Sequence, residues 1–186
     1  MKLTGLIQDK KGNLHALADL YPERARFFAL CGSQKFEEAL AMCQRKIAES
    51  PRAFEGYNDM AFVLGAMGNP SEQLKYKNKA VELAPRNPGL YFSRAMLHYK
   101  MANYAAAIPD FTRCAELDRN DQVVGPGNYL YRADCHRRLG NYDAALADCA
   151  LVPDDFDFPG FLGHFEGTKH HLLAEIERER HTTPRP

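Results

Sequence analysis

The chain has 186 residues, enough for one compact domain or one short repeat array. Lys plus Arg equals Asp plus Glu at 24 each, and the basic residues form no run longer than pairs such as Arg137-Arg138, so neither nucleic acid nor an anionic membrane is an expected partner. No apolar stretch approaches the roughly 20 residues of a membrane span, and Met1 to Leu20 lacks a signal-peptide core; the expected location is cytoplasmic. Five cysteines without a CxxC pair argue against a disulfide framework and against a zinc site, and Cys43, Cys114 and Cys149 fall on apolar helix phases as reduced, buried thiols.

Residues 1–19 read as an N-terminal extension. From there a 34-residue echo organises the chain: Tyr57 and Tyr91, Ala61 and Ala95, Asn69 and Asn103, Leu83 and Leu117, Pro51 and Pro85. After a four-residue insertion it returns at 38, in Tyr129, Ala133, Gly140, Asn141 and Ala145. A period in the thirties means stacked units that bury their apolar faces against neighbours. A fainter first unit runs from Tyr21 to Pro51, with bulky Phe27 where later units carry alanine and Ala39 matching Ala107.

In the second unit Tyr57, Met60, Ala61 and Leu64 form a helical stripe, followed by a turn at Gly68-Asn69-Pro70 in which Asn69 suits an N-cap. The next helix stops before Pro85. Leu90 to Tyr99 and Tyr104 to Leu117 repeat the plan, with Pro109 expected to bend or delay the second helix without breaking it. Tyr129 to Leu139 and Asp143 to Val152 repeat it again. The pattern then dissolves into Pro153 to Gly160, a last helix is predicted from Phe161 to about Arg180, and residues 181–186 read as a tail.

These residues resemble the tetratricopeptide repeat, whose pattern of aromatic, small, aromatic, then Ala, aromatic and Ala is met by Tyr91, Ala95, Tyr99, Ala107, Phe111 and Cys114. Tyr57, Met60, Ala61, Leu64, Ala80 and Pro85 fill another unit, and Gln73 departs from the expected alanine. The resemblance implies an all-α, right-handed superhelical solenoid of about four helix pairs (20–53, 54–87, 88–121, 126–159) with a capping helix at 160–180.

No catalytic constellation emerges. His98 and His136 stand at equivalent repeat positions that usually hold an aromatic and read as packing residues. Glu166, His170, His164 and His171 place at best two ligands on one face, too few for zinc. Asp154-Asp155-Phe156-Asp157 lacks the glycine and terminal glutamate of a calcium loop, and Cys135-His136 point to different helix faces. There is neither a phosphate-cradling glycine loop nor a GxSxG elbow. The expectation is a non-enzymatic protein with no metal and no cofactor.

In proteins of the family that this chain resembles, the first helix of each repeat lines a concave groove. The resemblance therefore implies a surface of Tyr21, Arg24 and Phe28, then Glu55, Asn58, Asp59 and Phe62, then Phe92, Met96 and Tyr99, then Leu130, Tyr131, Asp134 and Arg138. Phe28, Phe62, Phe92, Met96, Tyr99 and Tyr131 would supply apolar anchors, while Arg24, Asn58, Asp59, Asp134 and Arg138 set register. The expected partner is an apolar or aromatic peptide or helix, with the chain as adaptor, scaffold or chaperone. An inhibitor or immunity protein that blocks a folded enzyme, using the loop from Asp154 to Phe158, is the alternative. The clamp that holds acidic heat-shock chaperone tails is not expected: its positions would fall on Arg24, Phe28, Asp59, Gly89 and Ser93, where Asp59 repels a carboxylate.

Overall fold

The computed structural model describes residues 6–8, 14–16, 21–120, 123–156 and 169–182. The periodic segments form helices in pairs: α1 (Pro22–Gly32) with α2 (Phe36–Glu49), α3 (Phe54–Ala66) with α4 (Pro70–Leu83), α5 (Pro88–Lys100) with α6 (Tyr104–Leu117), and α7 (Gly127–Arg138) with α8 (Tyr142–Ala150). A last helix, α9, spans Lys169–Thr182. The chain divides into two units, residues 1–83 and 84–186, with α1 to α4 in the first and α5 to α9 in the second. The first unit also holds a feature the helical echo did not signal. Strand β1 (Leu6–Gln8) pairs antiparallel with β2 (Leu14–Ala16), Ile7 opposite His15. Gly12-Asn13 between the two short runs is the one hairpin cue in that stretch of sequence.

Each pair is joined by the same tight turn. At its centre Gln34, Gly68, Ala102 and Gly140 have φ between +57° and +76°. The residue after each donates its N–H back to the helix: Lys35 to the Leu30 carbonyl, Asn69 to Leu64, Asn103 to His98 and Asn141 to His136, all at 2.8–2.9 Å. This six-to-one bond closes the helix end on carbonyls that would otherwise lack partners. Asn69 then accepts from the Glu72 N–H, as its N-cap reading required. The echoed prolines and tyrosines are explained by a second recurring bond. Tyr57 Oη donates to the Pro51 carbonyl and Tyr91 Oη to the Pro85 carbonyl, at 3.1 and 3.2 Å. Each tyrosine thus ties its helix to the turn before it.

Pro109 sits inside α6, which starts on time at Tyr104 and runs through to Leu117. The four-residue insertion is organised by buried Asp118, whose carboxylate accepts from the N–H groups of Val123 and Val124. Asn128 then donates to the Phe111 carbonyl at 3.1 Å.

The first unit's core is Phe27, Leu30, Ala39, Cys43, Met60 and Val63. Gly56 lets α2 and α3 close on each other, since a Cβ there would lie 2.8 Å from Ile47 Cγ1. Gln73, the misfit of the second pair, is accommodated by Gly65: an added Cβ at Gly65 would sit 2.5 Å from the Gln73 amide nitrogen. The second unit's core is larger and aromatic. Phe111 and Tyr131 stack nearly parallel, and Tyr99 meets Tyr131 edge-on at 5.3 Å. Leu172 and Ile176 bring α9 onto that core as the expected final helix. Its predicted beginning at Phe161, with Leu162 and Phe165, and the tail from 183 lie outside the described residues. Cys43, Cys114, Cys135 and Cys149 are buried free thiols.

Two predictions follow from the turns and the histidines. Ala102 holds a left-handed conformation that costs a Cβ-bearing residue about 1–2 kcal/mol, partly offset by the entropy glycine loses on folding. Ala102→Gly should therefore raise the unfolding free energy by about 0.5–1 kcal/mol in urea titration. His98 and His136 each bury an Nδ1 without a hydrogen-bond partner among the described residues. Burial lowers both pKa values below 6.5, with Asp110 and Asp148 offsetting part of that effect. The unfolded chain then binds more protons below about pH 6.5, so stability is full above that value and declines toward the lowered folded pKa values. The melting temperature should fall between pH 7 and 5, and fall less in the His98→Phe/His136→Phe variant.

Candidate functional site

In the first unit, α1 aims Arg24, Phe27 and Phe28 at Asp59 and Phe62 on α3, because residues three and four apart share a helix face. The three phenylalanines form one cluster, with ring centroids 5.5–6.0 Å apart and Phe28 standing perpendicular to Phe62. Phe62 is nevertheless 47% exposed. Arg24 lies over the Phe28 ring at 4.7 Å and over Phe27 at 5.6 Å, a cation–π arrangement. Asp59, 4% exposed, accepts from Arg24 Nη1 on one carboxylate oxygen and from Lys46 Nζ at 2.8 Å on the other. Tyr21, Pro22, Phe27, Met42, Cys43, Arg24, Lys46 and Asp59 are among the residues that line a cavity of about 370 Å³ beside this cluster.

Asn58 is half-buried on α3, and Glu55 and Tyr21 are exposed. The structure thus brings Arg24, Phe28, Asp59 and Phe62 together. It also adds Lys46, from a second helix of a pair, which the family analogy does not reach.

The second unit corrects the expected groove. Met96, Tyr99, Leu130, Tyr131 and Asp134 are all buried, at 0–6% exposure. They are packing residues here, because the aromatic stack of Tyr99, Phe111 and Tyr131 occupies the face that the analogy assigned to a partner. Phe92 is half-buried against Phe111 and Tyr131. Arg138 remains outermost, over the Tyr104 ring at 5.1 Å.

Asp134 is the polar centre of this unit. It accepts from Tyr99 Oη, from Arg138 Nε at 2.6 Å and from Arg137 Nε at 2.9 Å. Arg137 carries the network on to Glu179 of α9. Burial, and then the bond to Asp134, pushes the Tyr99 hydroxyl well above its ordinary pKa. The hydroxyl therefore stays a neutral donor.

Two further ion pairs recur in the second unit. Arg94 meets Asp110 and Arg132 meets Asp148, each through two hydrogen bonds of 2.5–2.8 Å. Both partners recur at the 38-residue interval, which is the signal that would have found them. Each joins the two helices of one pair. The acidic loop is partly committed as well: Asp154 accepts from Lys169 Nζ at 2.6 Å, and Asp157 and Phe158 lie outside the described residues. No group of three or more metal-ligating side chains comes together among the described residues.

Residues 88–121, the third helix pair, match the family described as Tetratricopeptide repeat. A solved structure described as YrrB, a tetratricopeptide-repeat protein with an unusual peptide-binding site, superposes at a TM-score of 0.64, covering 84% of this chain and 76% of that one at 20% identity. The chain thus carries a segment matching the tetratricopeptide repeat and shares the fold of proteins built from it. MamA from Desulfovibrio magneticus RS-1 shares the fold at a TM-score of 0.66 and 15% identity, over 88% of this chain and 86% of that one. A sequence relative in Giardia intestinalis, UDP-N-acetylglucosamine–peptide N-acetylglucosaminyltransferase, is 29% identical over 85 residues. That stretch is 46% of this chain and 6% of the transferase.

Proposed function

We propose that the chain is a protein-interaction module that takes an apolar or aromatic peptide or helix on the first unit, serving as an adaptor, scaffold or chaperone. One observation carries this reading. Phe62 is nearly half exposed although it completes a three-ring cluster with Phe27 and Phe28. Large apolar side chains standing on a rigid, packed base are what interfaces use as anchors. Arg24, held by Asp59 and by two ring faces, is fixed beside it, and half-buried Asn58 offers a side-chain amide on the same helix as Phe62. The repeat fold supports the reading, and the solved relative with a peptide-binding site adds an analogy for a peptide ligand. The transferase match covers too little of that enzyme to bring its chemistry to this chain.

The test is capture of a partner from the native host with tagged wild type, Phe62→Glu and Leu151→Glu, the last an exposed control in the second unit. Loss of an aromatic anchor costs about 2 kcal/mol or more, roughly thirty-fold in Kd. Phe62→Glu should lose the partner at that level with its circular dichroism melt close to wild type, while Leu151→Glu retains it. Retention by Phe62→Glu refutes the assignment.

A further inference from the structure

Aligning the four helix pairs shows which residues break the repeat, and two of them meet. Lys46 occupies the position filled by Ala80, Cys114 and Val152 in the later pairs, all three buried. Asp59 occupies the position filled by Ala25, Ser93 and Tyr131. Where the fourth pair packs the Tyr131 ring, the second pair has a carboxylate, which meets Lys46 beside a cavity of about 370 Å³. That volume lies within the range of small-ligand sites.

The charges at the cavity are unequal at its most buried polar group. Asp59 brings one negative charge, and Arg24 and Lys46 bring two positive ones. A guanidinium has five N–H donors and an ammonium three. The contacts to Asp59 use one donor from each, and both side chains are about two-fifths exposed, at 41% and 45%. Within this triad one positive charge and several donors are uncommitted among the described residues, beside an apolar wall of Tyr21, Pro22, Phe27 and Met42; over the whole lining Glu23, Glu49 and Asp59 balance Arg24, Arg45 and Lys46. Cys43 adds to that wall as a thiol, its pKa pushed up to about 12 by burial and by the nearby Asp59. The remaining charges of the lining are exposed: Glu23 pairs with Arg45 at 3.5 Å, and Glu49 faces solvent, where water and salt screen it.

We propose that this cavity binds a monocarboxylate with an apolar body, its carboxylate held by Arg24 and Lys46 and its body against Tyr21, Pro22, Phe27 and Met42. A neutral apolar ligand would cover the two cations without giving them an acceptor, which is costly. A cationic ligand would meet the excess positive charge, and a dianion would exceed it and face Asp59. A single carboxylate matches the one uncompensated charge. Asp59 thus tunes the site by competing, through its own charge, for the two cations. The arrangement differs from a clamp built on the first helices of three repeats, since its second cation comes from α2. It shares Arg24 and Phe27 with the Phe62 surface, but Phe62 does not line it and Lys46 is not part of that surface, so Phe62→Glu and Lys46→Met separate the two readings.

The test titrates the full chain, isotope-labelled for NMR, with 3-phenylpropionate and with 3-phenylpropanamide, the same body without the charge. The acid should shift resonances of residues 21–62 and bind at least ten-fold more tightly than the amide. Lys46→Met should weaken the acid about ten-fold and leave the amide unchanged. Asp59→Asn, which removes the competing negative charge, should tighten the acid, an effect that a merely structural aspartate would not produce. If that variant unfolds, the acid–amide comparison and Lys46→Met still decide. Acetyl-Gly-Gly-Phe binding more tightly than 3-phenylpropionate would assign the ligand to a peptide end, and weaker binding to a free organic acid. Equal binding of acid and amide, shifts confined to the second unit, or weaker acid binding by Asp59→Asn would each overturn the proposal.

Discussion

The close approach of two helices within each pair sets the terms for everything else in this protein. Helices can pack this tightly only where their facing side chains are small. Ala61, Ala95 and Ala133 on the first helices and Ala39, Ala107 and Ala145 on the second are all fully buried. The second pair, which breaks the rule, shows how strict it is. Gln73 replaces the alanine of α4, and Gly65 on α3 gives up its side chain where the glutamine amide lies. The tight turn with its positive-φ residue serves the same requirement, because it returns the chain at once to the face it has just left.

Charge then distinguishes helix pairs that small residues alone would leave alike. Arg94–Asp110 and Arg132–Asp148 fasten α5 to α6 and α7 to α8, with the carboxylates largely buried and both guanidinium forks engaged. Pairs of this kind cost desolvation, so their net contribution to stability is small even though breaking one is expensive. What they fix is the register of one helix on the other. Asp134 extends the same logic to the end of the chain: it holds Tyr99, Arg137 and Arg138, and Arg137 reaches Glu179 on α9. In the first unit Asp59 gathers Arg24 and Lys46, but beside a cavity rather than within a filled core.

Much of the helical framework was legible because a 34-residue echo carries its own physics. The recurrence of Pro51/Tyr57 and Pro85/Tyr91 is a hydrogen bond written twice, and the Gly68, Ala102 and Gly140 positions are one turn written three times. Periodicity says which residues share a helix face, yet not what that face meets. Met96, Tyr99, Tyr131 and Asp134 have the phase of a groove, and they are buried because the neighbouring helix supplies Phe111 and a stack of rings. Lys46 carries no periodic signal for the converse reason: its partner Asp59 is on the next helix pair, and no periodic rule links the two. The strands β1 and β2 are three residues each, too short for alternation to show.

The functional account reduces to a division of labour, in which Tyr99, Phe111 and Tyr131 of the second unit pack its core while Phe62 of the first unit stands at a surface. Hydrogen exchange of the chain, free and saturated with its captured partner, tests that division most directly. The account predicts added protection confined to α1, α2 and α3, residues 22–66, with residues 127–150 unchanged. Protection over 127–150 with none over 22–66 would contradict it.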